Sequence, residues 1–316
     1  MDPEQKISSP NVKQEAIQYI GISFCDEENY AYAGVQRARG FIEQVGGREF
    51  GVDIMRAMGQ TFQTIEKNEK AIDAYTTLLE MYPYYYEAPV IKQKVADTYY
   101  ALGRDEDDYR TRYELFRDYN PNSEWYQKLL ASELPDKLKY EQQAYNLAQK
   151  ALFTNVGQDL QRAQEAEQKN LPFKDLYITV ANGCKEYLSV FTTDSNAYKI
   201  NWYYALILDK YLTQFDDAFE QYVHVSNDYL ETEHQEEAAN NAIFVADTLV
   251  RIALGGKRDS TMLVDLTDKE VIKPEILTAE QKRLIEAYDN YIRLFPDGAN
   301  TPVYLAEGPS PTRIIL

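Results

Sequence analysis

Residues 52–85, VDIMRAMGQTFQTIEKNEKAIDAYTTLLEMYPYY, decide the fold of this chain. Apolar residues recur at three- and four-residue steps on both sides of a polar turn at residues 67–69, which is the spacing of two amphipathic helices. Gly59 and Ala71 are small enough to let these two helices approach each other closely. Pro83 ends the second helix, because the residue before a proline disfavours helical backbone angles. The stretch therefore predicts an antiparallel helix pair.

The same pattern returns in residues 90–121 in a less regular form. Asp97 and Tyr109 stand where the first pair has small residues, so we expect this second pair to be slightly more open. The residues that keep the inward-facing pattern are Ala96, Tyr100, Tyr113 and Phe116.

Residues 137–170 differ from both pairs, because they contain no proline and are rich in Gln, Ala, Glu and Lys, which favour helix. We expect one long helix here, or two coaxial helices that meet at Gly157. This segment separates two arrays of helix pairs. The predicted organisation is a disordered lead at 1–10, an N-terminal array at 11–135, the long connecting helix at 136–170, a C-terminal array at 171–300 and a tail at 301–316.

The C-terminal array repeats the pattern with an interruption. Trp202, Ala218 and Tyr222 are spaced as in one helix pair, and residues 279–295 form a later helix that Pro296 closes. A polar insertion at 255–274 lies before that last helix, and its core is either a short strand, a lid or an ordinary loop.

Composition restricts the classes of partner. The chain has 33 basic and 51 acidic residues and a formal charge of −18, which repels the phosphates of nucleic acid and anionic lipid. The charge favours a basic protein or peptide as partner, or serves solubility alone. No apolar run reaches the length of roughly 18–20 residues that a membrane helix needs, so we expect no direct membrane insertion. The 27 tyrosines serve helix packing or line a binding groove.

No set of residues in the sequence predicts catalysis. The two histidines, His224 and His234, are ten residues apart and do not share a helix face. Three glutamates near His234 allow a weak divalent site, but a solvated acidic helix start is the favoured interpretation, and we expect no metal and no cofactor. Cys25 and Cys184 each lie in an apolar stretch, which predicts burial rather than a disulfide framework.

The positions of Gly59, Phe62, Ala71, Tyr75 and Pro83 resemble those of the tetratricopeptide repeat (TPR) family, whose unit is about 34 residues long. The resemblance implies an all-α fold, a right-handed α-solenoid of antiparallel helix pairs, here with one long helix between two repeat arrays. In this family ligands lie along the first helix of each pair. The resemblance therefore implies a partner-binding groove lined by Asp53, Arg56, Gln60, Gln63, Lys94, Thr98 and Tyr203.

Gln60 and Thr98 stand where some members of the family have the asparagines of a carboxylate clamp, so binding of a chaperone tail is disfavoured.

Residues 15–25 and 70–89 resemble segments of large bacterial TPR scaffold proteins of the cell envelope. This resemblance implies a non-enzymatic protein–protein interaction scaffold, part of a larger periplasmic or envelope-associated complex. The polar N-terminus has no signal-peptide core, so the alternatives are a cytoplasmic protein or a fragment of a longer one. The competing function is a ligand-binding or sensor module that closes over a small molecule or peptide.

Overall fold

The computed structural model describes residues 10–26, 33–47, 50–255 and 277–307, and in these ranges the only regular secondary structure is helical. This confirms the predicted all-α class. The helices are α1 (Pro10–Phe24), α2 (Gly34–Gln44), α3 (Phe50–Thr64), α4 (Asn68–Met81), α5 (Ala88–Ala101), α6 (Asp105–Tyr119), α7 (Glu124–Ala131), α8 (Lys137–Gln168), α9 (Lys174–Val190), α10 (Ala197–Lys210), α11 (Phe215–Asn227), α12 (Gln235–Ala253), α13 (Ala279–Leu294) and α14 (Thr301–Glu307).

The helices pack mainly against their neighbours in sequence, as expected for a helical repeat. The chain divides into two compact units between Asn155 and Val156, inside α8. In the first unit α3 packs on α4, α4 on α5 and α5 on α6, while α1 also packs on α3 and α2 on α4. In the second unit each of α9 to α13 packs on the next helix. The handedness of the array stays a prediction.

The α3–α4 pair has the close approach that its small residues predict. A Cβ atom added to Gly59 would lie 2.3 Å from Cε1 of Tyr75, so a larger residue cannot fit without movement of that ring. Ala71 and Tyr75 are both fully buried. The turn between the helices places Glu66 at a φ of 58°, and α4 ends immediately before Tyr82 and Pro83.

The predicted register of the α5–α6 pair is wrong at several positions. Tyr100 is 70% exposed and Tyr113 is 39% exposed, so neither side chain points into the core as expected. Tyr109 is half-buried, whereas its neighbour Asp108 is buried beside Arg112. Ala96 and Phe116 are buried as predicted, so the aromatic pattern identifies part of the buried face and misses the buried aspartate.

Two helices lie where the sequence predicted none. Helix α7 begins at the Ser123 cap, whose side chain accepts a hydrogen bond from the Tyr126 amide. Helix α14 occupies residues 301–307, the first part of the predicted tail at 301–316. The remainder of the tail, nearly all of the lead at 1–10 and insertion residues 256–274 lie outside the described residues.

The predicted long helix is α8, which is continuous through Gly157. In the second unit Trp202, Ala218 and Tyr222 are all buried, as the repeat spacing predicted. Helix α13 begins with a capping box, in which the Thr278 and Gln281 side chains accept hydrogen bonds from each other's backbone N–H groups.

Both cysteines are buried, in agreement with the prediction, and burial raises the pKa of the Cys184 thiol to about 12. Among the described helices, none combines the length and the apolarity that are required to cross a bilayer.

Candidate interaction surface

Helix α3 presents a polar stripe on one face. Asp53, Arg56, Gln60 and Gln63 follow one another at three- and four-residue steps and are half-buried or exposed. Such spacing places side chains on one helix face. The buried residues of α3 are Gly51, Val52, Ile54, Met55, Ala57, Met58, Gly59 and Phe62. The stripe is therefore the face of α3 on which a partner could bind.

Arg56 is the centre of the first half of this stripe. Its guanidinium donates to Asp53 Oδ1 at 2.5 Å, to Glu87 Oε2 at 3.1 Å and to Tyr85 Oη at 3.2 Å. The Tyr85 hydroxyl in turn donates to Glu87 Oε2 at 2.5 Å. Burial is the main cause of the raised pKa of Tyr85, and the bond to Glu87 contributes. These contacts join α3 to the residue that precedes α5.

Gln63 is the centre of the second half. It accepts a hydrogen bond from Tyr75 Oη at 2.8 Å and donates to Thr98 Oγ1 at 3.1 Å. Thr98 is only 4% exposed and donates to the Lys94 carbonyl at 2.6 Å. Burial raises the pKa of Tyr75 to about 12, against a lowering influence of Arg56. Gln63 and Thr98 thus hold α3, α4 and α5 together, and little of Thr98 is accessible to a partner.

The other predicted groove residues differ in their surroundings. The Gln60 side chain is exposed, and the Lys94 ammonium lies 5.6 Å from the centroid of the Tyr75 ring. Tyr203 is half-buried on α10 in the second unit. Apart from Tyr203, the predicted residues lie on α3 and α5 within the first unit, and Gln63 directly joins these two helices.

A cleft of about 820 Å³ adjoins this stripe at Asp53. We call it the tyrosine cleft, because the consecutive aromatic segment at residues 82–86, YPYYY, forms one of its walls. Its lining consists of Gln14, Ile17, Gly47, Phe50, Val52, Asp53, Tyr82, Pro83, Tyr84, Tyr85, Tyr86 and Leu134.

The wall of the tyrosine cleft is held in place by α7 and α8. Trp125 Nε1 donates to the Tyr85 carbonyl at 3.0 Å, and Tyr84 Oη donates to Glu124 Oε1 at 2.9 Å. The Tyr86 ring lies against those of Tyr85 and Tyr140, with centroids 4.6 Å and 4.4 Å apart. The aromatic wall is thus supported from behind before any partner binds.

The sequence pattern does not predict this cleft or a role for Tyr85, Tyr86 or Glu87. The signal in the sequence is the run of tyrosines around Pro83, which indicates a helix end and does not by itself predict a cleft. The supporting contacts from Trp125 and Tyr140 come from residues 40 or more positions away, and helical spacing gives no information about such pairs.

A second cavity of about 580 Å³ lies between α4 and α6 and is also lined by residues of α5 and of the start of α7. Lys92 and Glu114 form an ion pair of 2.6 Å in its lining. Its walls carry further charges of both signs, from Glu80, Arg110, Arg117, Asp118 and Glu124.

The acidic surroundings of His234 do not form a metal site in the described part of the chain, where no three His, Cys, Asp or Glu side chains converge. The His234 ring stacks on Trp202 with centroids 4.6 Å apart and planes at 6°. Its Nδ1 atom lies 3.9 Å from Glu237 Oε2. His234 therefore packs between α10 and the start of α12.

Comparison with known proteins gives no family. No protein-family model matches this sequence, and no curated protein matches it significantly. The likeness to TPR proteins accordingly depends on the repeat residues and on the helix pairs alone.

Proposed function

We propose that this chain is a non-enzymatic, TPR-like scaffold that holds a segment of a partner protein on the polar stripe of α3. The observation that carries the proposal is the continuity of that stripe with the tyrosine cleft through Asp53. A partner segment lying along α3 would contact Gln60 and Asp53 and then insert a side chain into the cleft.

The size and lining of the cleft support this proposal. Binding sites for small ligands are typically about 300–1,000 Å³ and combine apolar walls with a few polar groups. The tyrosine cleft, at about 820 Å³, has that composition. Tyrosine is also enriched at protein interfaces, since its ring buries apolar area while its hydroxyl keeps a polar partner.

We also propose the kind of complex and the compartment in which the scaffold acts. A TPR-like array of this kind would act within a larger bacterial complex, in the periplasm or at the cell envelope, and a cytoplasmic location is the alternative. The charge of −18 favours a basic partner.

Affinity capture with a matched pair of variants tests the proposal. Gln60→Arg places a long cation in the stripe, while Gln142→Arg makes the same change at an exposed position on α8. From cells of the source organism, the wild type and Gln142→Arg should retain the same protein partner, and Gln60→Arg should lose it. Equal capture by both variants would contradict the proposed surface.

The cavity between α4 and α6 favours a second candidate function, a ligand-binding module. Its volume of about 580 Å³ suits a small molecule, and its lining combines aromatic and charged groups. A small ligand that binds only the folded chain raises the melting temperature by mass action. A thermal-shift screen that finds such a ligand, together with a failed protein capture, would favour this candidate over the scaffold.

A further inference from the structure

We infer that the tyrosine cleft binds a lysine or arginine side chain of the partner segment. This inference rests on the proposed scaffold function and names the chemistry of its ligand. It follows from the charge of the lining, from the aromatic wall and from the apolar residues opposite that wall.

The charge of the lining is one-sided. Of the twelve described residues that line the cleft, Asp53 is the one that carries a charge, and its side chain is 37% exposed. Arg56 also pairs with Asp53 and with Glu87, so these three groups together keep one negative charge. A cationic side chain in the cleft would share the Asp53 carboxylate, and the charge of −18 on the chain adds a long-range attraction.

The aromatic wall attracts cations as well. The face of a tyrosine ring carries a partial negative charge and binds ammonium and guanidinium groups within about 6 Å. The chain itself uses this contact beside the cleft. Lys128 Nζ lies 3.3 Å from the Tyr84 ring centroid and 2.8 Å from Glu124.

A second internal pair has the same arrangement. The Arg104 guanidinium lies 4.6 Å from the Tyr99 ring centroid and 2.6 Å from the Asp107 carboxylate. A cation that rests on a tyrosine ring beside a carboxylate is thus a recurring contact in this unit. The tyrosine cleft offers the same combination to a side chain from outside.

The apolar residues of the cleft suit the stem of such a side chain. Ile17, Phe50 and Leu134 contribute to the lining together with the tyrosines. Lysine and arginine bury three or four methylene groups against apolar surface while their charged ends stay near polar groups. This combination selects a long cationic side chain over a small cation or an aliphatic residue.

Selection from a library of random 12-residue peptides, followed by calorimetry, tests the inference. Peptides enriched on the wild-type chain should contain a lysine or arginine that they need for binding. In the best lysine-containing peptide, replacement of the lysine by norleucine keeps the methylene stem and removes the charge. We expect this replacement to weaken binding about tenfold, the size of a partly desolvated cation–π contact.

Variants of the chain locate the contact. Tyr86→Leu keeps an apolar side chain but removes the aromatic face, and Asp53→Asn removes the charge of the lining. Each variant should bind the lysine peptide several-fold more weakly and should bind the norleucine peptide with nearly unchanged affinity. Tyr100→Leu, at an exposed tyrosine outside the cleft, should have no effect, and far-ultraviolet circular dichroism should show that all three variants are folded.

The outcomes separate this inference from the proposed function. One outcome is that the enriched peptides contain no lysine or arginine and that Gln60→Arg abolishes their binding. This outcome would contradict the cation assignment and leave the scaffold proposal in place. Equal affinities of the lysine and norleucine peptides would have the same meaning. A selection that enriches no peptide would count against the scaffold itself, and against this inference with it.

Discussion

At the scale of single residues, the contact between Gly59 and Tyr75 determines how closely α3 and α4 approach. The ring that would meet a Cβ atom on Gly59 is fully buried, and its hydroxyl is bonded to Gln63. The ring therefore has little room to move. A residue with a side chain at position 59 should push the two helices apart.

We predict that Gly59→Ala lowers the free energy of unfolding by about 1–3 kcal/mol, because overpacking outweighs the better helix propensity of alanine. The control is Gly157→Ala in α8, where an added Cβ meets nothing within 4 Å. The free energy of unfolding of that variant should rise by about 0.5–1 kcal/mol. Thermal unfolding followed by circular dichroism measures both, and a stabilised Gly59→Ala would refute the close approach.

The second feature at this scale is the pair of Asp108 and Arg112, which is joined to α8. Arg112 donates to Asp108 Oδ2 at 2.5 Å and to Asn155 Oδ1 at 2.7 Å. Asn155 in turn donates to the Tyr109 carbonyl at 3.0 Å. Burial raises the pKa of the Asp108 carboxyl, and Arg112 opposes that rise.

Replacement of either Asp108 or Arg112 leaves the charge of the other residue buried without its counter-ion. We expect Asp108→Ala and Arg112→Leu each to cost about 3 kcal/mol of stability. The double variant should cost clearly less than the sum of the two, by about 1–3 kcal/mol, since no orphaned charge remains. A double-mutant cycle by urea denaturation measures this coupling, and additive costs would show that the two groups do not depend on each other.

These residues also show where prediction from the sequence ends. Gly59 and Ala71 could be assigned because small residues at helix crossings follow directly from side-chain volume. Asp108 could not, because a buried carboxylate is stable only beside Arg112 and Asn155. Asn155 lies more than 40 positions further along the chain, so the local sequence pattern around Asp108 cannot predict this contact.

At the scale of helices and loops, α7 supports the aromatic wall of the tyrosine cleft. Trp125 is buried, packs edge-on against Tyr119 with centroids 5.3 Å apart and bonds to the Tyr85 carbonyl. If this support is lost, the wall should become more mobile even though the flanking helices remain.

We predict that Trp125→Phe keeps most of the packing but loses the hydrogen bond to Tyr85, at a cost of about 1 kcal/mol. Amide hydrogen exchange should then speed up at Tyr85 and Ala88, whose N–H groups bond within this turn. Trp202→Phe makes the same substitution in the other unit and should leave both amides unchanged. Unaltered exchange in Trp125→Phe would mean that α7 does not hold the wall.

Most of the long helices followed from periodicity and from proline and glycine positions. Helix α7 could not be predicted in this way, because its eight residues cover little more than two turns and give too short a sample of the helical period. The predicted groove residues on α3 lie on one face, as their spacing required. The cleft beside them could not be foreseen, since it forms where residues from α1, α3 and the α4–α5 turn meet.

At the scale of the whole molecule, ionisation of the 27 tyrosines should determine how the stability of the fold changes at alkaline pH. Burial raises the pKa of Tyr75 and of Tyr291 to about 12, with a bond to Glu236 contributing at Tyr291. It also raises the pKa of Tyr85, Tyr177 and Tyr222. In the unfolded chain all of these groups ionise near pH 10.

Between about pH 10 and 12 the folded chain therefore retains protons that the unfolded chain releases. The stability that these tyrosines contribute is complete below pH 10 and is lost as the pH rises through this window. We predict that part of the tyrosinate absorbance appears only together with loss of the helical circular dichroism signal. Ionisation of every tyrosine near pH 10 with an unchanged helical signal would contradict the burial of these groups.

In the proposed function, the polar stripe of α3 and the tyrosine cleft together hold a partner protein. Site-specific photo-crosslinking in cells tests it most directly, with a photoreactive amino acid at Gln60 and, as control, at Gln142 on α8. We predict one discrete protein adduct from position 60, which disappears when Tyr86→Leu is introduced, and no matching adduct from position 142. No protein adduct at position 60, or the same adducts at both positions, would contradict the claim.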